Sequence, residues 1–337
     1  MTALSGLIAW CALFAALGAI GTWMARTYAL QRQLFDMPGE RRSHFVATPR
    51  GGGIAIALAF LVALVAMTLR EPREIVLLAC AGFGLILVAG IGWADDHRPL
   101  SPWLRLLVHV LAAGWLGFGF YLSGASSIVA VTVFVSTLIL VNIWNFMDGI
   151  DGLAASQAVL AAAAFAVLTG SSLAIHLGLA LIASTLGFLP FNFPRASIFL
   201  GDVGSGALGF ALALMLGLTL DAMPLAAWPL TLLPLSAFLL DASLTLATRM
   251  LRGDRWWMPH VEHAYQRWAR YAGRHMPVTV GYAAWSLLMC FGMAILWKSD
   301  SNWTAMAVLA CLAIGLGCWH WLRRHTPVYD ADKETNA

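Results

Sequence analysis

Long apolar runs, each about the length of a membrane span, are the strongest constraint on what this chain can fold into. They recur near residues 4–25, 52–69, 74–92, 103–122, 125–145, 153–169, 172–190, 204–220, 225–247, 277–297 and 302–322. A transmembrane helix needs about 20 predominantly apolar residues. The runs are continuous and lack the alternation of a membrane β-barrel. Only 11% of the 337 residues are charged, against about 25% in a soluble domain. The predicted fold is an all-α integral membrane protein with about 11 transmembrane helices, ten being the lower count.

Charge placement predicts orientation. Arg26, Arg32, Arg41, Arg42, Arg50, Arg98, Arg105, Arg195, the series Arg249 to Arg274, Arg323, Arg324 and Lys333 fall in alternate connections. Only Arg70, Arg73 and Lys298 fall in the others. The positive-inside rule makes the first set cytoplasmic, with the N-terminus outside and the C-terminus cytoplasmic. The first run lacks a basic leader region and does not read as a signal peptide. Residues 1–325 form one polytopic membrane domain, and 326–337 a short polar tail. Tryptophans near run ends, among them Trp23, Trp93, Trp103 and Trp297, fit an interfacial belt. The five cysteines lie inside apolar runs without a CxxC pair. They read as packing residues rather than a zinc site or a disulfide framework.

The polar residues concentrate at run ends. Asn142, Asn145, Asp148 and Asp151 follow the fifth run at three-residue spacing, with Gly149 and Gly152 between and after. On a helix, the first three share one broad face. Polar groups at a span end are costly and mark function. They point to a site for a metal, a phosphate or a nucleotide, the plain alternative being a solvated helix end with Asp-Gly turns. Asp95 and Asp96 form a second acidic cluster. Adjacent carboxylates need a nearby cation or a retained proton, and Arg105 can supply the charge; a helix N-cap is the plain alternative.

The segment Asn192 to Ser205 carries Asn192, Phe199 and Asp202 among glycines. Hard oxygen donors such as Asn145 and Asp202 are what Mg²⁺ takes, with water and phosphate oxygens. In Arg249 to Arg267, His260 and His263 stand beside Arg252 and Arg267. They read as donors to phosphate or sugar; a basic anchor loop explains the arginines but not the histidines. Arg50-Gly51-Gly52-Gly53 reads as a basic phosphate-binding edge. With every cluster on one face, an enzyme joining a soluble reactant to a lipid one is favoured. The alternative is a secondary transporter for an anionic metabolite, which more often places its charges at mid-membrane.

In this order, Pro-Arg-Gly-Gly-Gly, Asp-Asp, Asn-x-x-Asn-x-x-Asp-Gly-x-Asp-Gly-Leu-Ala, Phe-x-Gly-Asp-x-Gly-Ser and His-x-x-His-x-Tyr-Gln-Arg resemble the polyprenyl-phosphate N-acetylhexosamine-1-phosphate transferase superfamily (glycosyltransferase family 4). The match runs from Asp36 to Arg267. The resemblance implies transfer of a sugar-1-phosphate from a UDP-N-acetylhexosamine to undecaprenyl phosphate in the bilayer, with release of UMP. Mg²⁺, with Mn²⁺ as its substitute, is the implied cofactor. Asn145 and Asp202 fall at the metal, and Asp95, Asp96 and Asp202 at the catalytic acids. Asp148, Asp151, Asn192 and Phe199 fall at the nucleotide, with Phe199 stacking on the base. Arg50, Arg105, Asn142, Arg252, His260, His263 and Arg267 fall at phosphate and sugar. Whether an aspartate deprotonates the acceptor, or the pair organises metal and Arg105, is left open.

The loop His-Val-Glu-His-Ala-Tyr-Gln-Arg departs from the triple histidine of the peptidoglycan branch. It is closer to the branch making O-antigen and related surface lipids. That implies a bacterial inner membrane with the site facing the cytoplasm, and a donor such as UDP-N-acetylglucosamine or its 6-deoxy relatives N-acetylfucosamine and N-acetylquinovosamine. On this reading Arg252 to Arg267 select the sugar, while Asp151, Asn192 and Phe199 select the nucleotide. A homodimer is expected and nucleic acid is not.

Overall fold

The computed structural model describes residues 2–37, 46–255, 258, 260–298 and 303–326. Arg41, Arg42, Ser43 and His44 of the first basic loop and the tail beyond Thr326 lie outside the described residues.

Each apolar run is helical. The helices are α1 (Thr2–Gln31), α2 (Ile54–Arg70), α3 (Ile75–His97), α4 (Pro102–Leu122), α5 (Ser127–Phe146) and α6 (Leu153–Thr169). They continue with α7 (Ser172–Asn192), α8 (Gly201–Ala222), α9 (Ser236–Leu251), α10 (Ala264–Ala272), α11 (Met276–Lys298) and α12 (Thr304–His325). Starts follow local chemistry. The Ser126 and Ser171 hydroxyls accept from the N–H groups of Val129 and Ala174, and Pro102 opens α4, where its missing N–H costs nothing. A two-residue antiparallel ladder pairs β1 (Phe35–Asp36) with β2 (Thr48–Pro49).

The chain is an all-α membrane protein apart from that ladder. Among the described residues eight helices are long and apolar enough to cross a membrane. Helices α2 and α6 have 17 residues each, about 26 Å at 1.5 Å per residue, short of a hydrocarbon core of about 30 Å. The run at 225–247 is not one straight span. A 3₁₀ helix, Leu225–Leu232, meets α9 at a 78° bend. Pro229 within the 3₁₀ helix and Pro234 in the bend remove backbone donors there.

Helix α8 is the centre: every residue from Val203 to Gly217 is buried, and α2, α3, α5 and α6 pack around it. Helix α12 is peripheral, with Val308 and Gly315 its buried residues. The ends of α3, α5, α7 and α9 and the starts of α2, α4, α6, α8 and α11 meet at one end of the bundle, where the polar clusters converge.

Candidate active site

The start of α8 organises this end. The first N–H groups of a helix lack internal partners and form its positive end. Asp96, buried at the last turn of α3, accepts the N–H of Asp202 through Oδ1 and that of Val203 through Oδ2, both at 3.1 Å. Gly201 has φ +77°, and a Cβ there would lie 2.6 Å from Asp96 Oδ2. Only glycine fits both the backbone and the carboxylate. Arg50 lies over the C-terminal end of α3, donating to the main-chain oxygens of Asp95 and Asp96, with its Nε 3.9 Å from Asp96 Oδ1.

Asp95 and Asp96 therefore face different ways. Asp95 Oδ1 accepts the Leu100 N–H at 2.6 Å, and Oδ2 accepts from Arg105 Nη1 at 3.1 Å. The same Arg105 nitrogen donates to Asp202 Oδ2 at 2.9 Å. Asn145 Nδ2 donates to Asp202 Oδ1 at 2.8 Å and sits 3.3 Å from the Ser205 hydroxyl. Asn142, one turn earlier on α5, donates to the Leu138 carbonyl. Helix α5 ends at Phe146 with Met147 as its cap. Asp148 is thus beyond the helix and does not share a helical face with Asn142 and Asn145 as the spacing predicts. Burial, with the charges of Asp202, Asp96 and Asp151, pushes the Asp148 carboxyl well above the usual carboxylate range.

A cavity of about 330 Å³ opens here. Arg105, His109, Asn142, Asn145, Asp148 and Asp202 line one wall, and His260, His263, Tyr265 and Gln266 the other. Leu106, Val141 and Leu246 extend it as an apolar surface. The second wall is built from Met258, residues 260–263 and α10, a short amphipathic helix that periodicity did not single out. Its Tyr265 hydroxyl donates to the Phe146 carbonyl at 3.0 Å. Any side chain at Gly149 would strike that hydroxyl. Burial, then the neighbouring His263 and Arg249, pulls His260 down to about 4, so its ring is neutral at pH 7.

Other predicted residues lie off the cavity lining. Asp151 faces His275, whose Nδ1 is 3.1 Å from Oδ2. Buried Asn192 accepts the Gly152 N–H (2.8 Å) and donates to the Ile198 carbonyl (3.0 Å), joining the two glycine-bearing loops. Phe199 belongs to the second loop, whose backbone bonds Pro49 and Gly52. Arg252 pairs with Glu262 and, at 3.3 Å, with Asp254. Arg267 spends its Nε and Nη2 on the carbonyls of Thr326 and Arg323, both at 2.7 Å, at the end of α12. Sequence reasoning passed over His109 and Asp241, and took in buried Arg249 and Glu262 only as members of the basic loop. Their signal was a charged or polar side chain within or beside an apolar run.

The sequence profile of glycosyl transferase family 4 matches residues 77–219, which contain Asp95, Asp96, Arg105, Asn145 and Asp202. A probable undecaprenyl-phosphate N-acetylglucosaminyl 1-phosphate transferase of Bacillus subtilis (strain 168) is 27% identical over 87% of this chain and 85% of its own. A decaprenyl-phosphate N-acetylglucosaminephosphotransferase of Mycobacterium leprae (strain TN) is 29% identical over 87% and 83%. A phospho-N-acetylmuramoyl-pentapeptide-transferase of Moorella thermoacetica is 30% identical over 62% of this chain and 74% of its own. The chain belongs to the polyprenyl-phosphate N-acetylhexosamine-1-phosphate transferase superfamily. Its polar end carries this family's motifs on a multi-pass membrane scaffold. These relatives are transferases and give the transporter reading no support.

Proposed function

We propose that this family member transfers an N-acetylhexosamine-1-phosphate from a UDP-sugar to undecaprenyl phosphate, releasing UMP. A lipid phosphate oxygen forms the new bond to the sugar-bearing phosphorus, and the bond from that phosphorus to the UMP oxygen breaks. The convergence of Arg105, Asn145 and Asp202, from three helices, on one cavity, with Asp95 of a fourth helix bonded to Arg105, supports this reading most directly.

Two anions must meet, and the cavity has the means to offset their repulsion. Arg105 is held between Asp95 and Asp202 and presents its charge to the lining. Asp202 and Asn145 are hard oxygen donors side by side, a set that fits Mg²⁺ or Mn²⁺ completed by water and phosphate oxygens. The ion, when bound there, supplies Lewis-acid stabilisation of the charge on the leaving UMP. Asp96 positions the α8 start that carries Asp202. On the other wall, His260, whose ring is neutral, and His263 offer hydrogen bonds to the sugar and its diphosphate. Asp148 and the neighbouring loops of Asp151, Asn192 and Phe199 form the nucleotide side.

The arginine-bearing connections support a cytoplasmic site in a bacterial inner membrane, where a soluble donor meets a bilayer acceptor. The product begins O-antigen or a related surface polysaccharide. The test is UMP release by the detergent-solubilised chain, with undecaprenyl phosphate and a panel of UDP-N-acetylhexosamines. Metal-dependent UMP release from one donor is the expected result. Its absence with every donor overturns the proposal.

A further inference from the structure

Asp241, Thr245 and Arg249 follow one another at four-residue spacing on α9, which places them on one face. All three are buried. Charged groups in such a setting are costly unless paired, and both are paired with the segment that forms the second cavity wall.

Asp241 Oδ1 accepts the Ala264 N–H at 2.8 Å, the Trp319 indole N–H at 3.2 Å and the Thr245 hydroxyl at 3.2 Å. Its Oδ2 accepts the Tyr265 N–H at 3.1 Å and the Tyr282 hydroxyl at 2.7 Å. Ala264 and Tyr265 are the first two residues of α10. A carboxylate from another helix thus caps α10 and suits its positive end. His263 Nδ1 lies 3.8 Å from Asp241 Oδ1. Two turns along α9, Arg249 reaches Glu262 through Nη1, and its Nη2 is 3.5 Å from the Arg255 carbonyl. One helix face therefore grips the segment at Glu262 and again at Ala264–Tyr265. His260 and His263 are carried beside those two grips.

We propose that Asp241 and Arg249 are positioning residues that set His260 and His263 at the distance from Asp202 that the sugar-diphosphate donor requires. This rests on the reading that the second wall meets the donor. Neither residue lines the cavity, so each acts through the segment it holds. Tyr282 and Trp319 extend the hold to α11 and α12.

The experiment uses the full chain in detergent, with donor and acceptor varied separately, and the variants Asp241→Asn, Arg249→Gln, Arg249→Lys and Tyr282→Phe. A hydrogen bond to a charged group accounts for about tenfold or more in an equilibrium. Asp241→Asn and Arg249→Gln are expected to raise KM for the UDP-sugar about tenfold and leave KM for undecaprenyl phosphate unchanged. Arg249→Lys recovers part of that loss. Tyr282→Phe, which leaves no cavity, gives a smaller rise in the same direction and carries the test if Asp241→Asn does not fold. Equal factors on donor and acceptor, or an unchanged donor KM in folded variants, overturn the proposal. Hydrogen exchange across 260–266 supplies a readout independent of turnover. It accelerates in Asp241→Asn if Asp241 holds the wall, and unchanged exchange overturns the positioning role. Wild-type chain that releases no UMP instead overturns the transferase reading and the donor assignment with it.

Discussion

The two walls of the cavity are held by different means. The Asp202 wall stands on α3, α4, α5 and α8, and its helix ends interlock: Asp96 caps α8, Arg105 ties Asp95 to Asp202, and Asn145 reaches Asp202 from α5. The histidine wall is a short segment and one nine-residue helix, held from behind by α9 and the end of α12. A wall built on central helices fixes its groups through a packed core. A wall built on a segment needs dedicated side chains to hold it. On the proposed reading, the groups that meet the metal stand on the packed core and those that meet the sugar on the held segment.

The comparison breaks most sharply at Asp202. Asp202→Asn and Asn145→Ala are each expected to lower kcat by about a thousandfold, as loss of a central charge-stabilising group does, while the protein still inserts and purifies. Near-normal UMP release at limiting Mg²⁺ would remove that residue from the metal site.

Glycine substitutions separate the walls by stability. Gly201→Ala forces a left-handed φ and a clash with buried Asp96, a cost of about 1–3 kcal/mol, and should lower Tm clearly. Gly149→Ala displaces the Tyr265 hydroxyl and should instead raise donor KM with a smaller change in Tm. Similar Tm losses in both variants would show the walls equally rigid.

Arg267→Ala sharpens the contrast within the second wall. The motif suggests that Arg267 selects the sugar, but its Nε and Nη2 donate to the carbonyls of Thr326 and Arg323 at the end of α12. The expected result is a stability loss of about 1 kcal/mol, seen as a lower Tm, with the ratio of kcat/KM between UDP-sugars unchanged. A changed ratio would return Arg267 to the sugar site.

The smallest effect concerns His260. Its folded value of about 4 lies below the ordinary 6.5. Between those values the unfolded chain takes up the proton and the folded chain does not, so stability falls as pH drops from about 6.5 towards 4. His260→Gln should flatten that part of a Tm-against-pH curve, and an identical curve would count against burial of the ring.

The acidic clusters were legible because carboxylates and amides at the ends of apolar runs have few other uses. Asn145, Asp202, Asp95 and Arg105 come together as the motifs imply. That Asp96 turns inward to cap α8 was not legible, since adjacent aspartates look alike until a second helix supplies the N–H groups. Asp241 was hidden inside a run read as one span. Arg252 was grouped with phosphate binders because a loop arginine is written the same way whether it meets a ligand or Glu262.

What the sequence alone determined is what depends on neighbours along the chain. Apolar stretches become helices, since the backbone of a buried segment must bond within itself, and prolines break them. Composition and spacing also placed the motifs at run ends. Tertiary structure decided the rest, because partners far apart in sequence set the outcome. It bent 225–251 into two pieces, gave Asp95 and Asp96 separate tasks and sent Arg267 to α12. It also made a lone buried aspartate the cap of another helix, where the free N–H groups at the start of α10 call for a carboxylate and α9 is the helix that passes within reach.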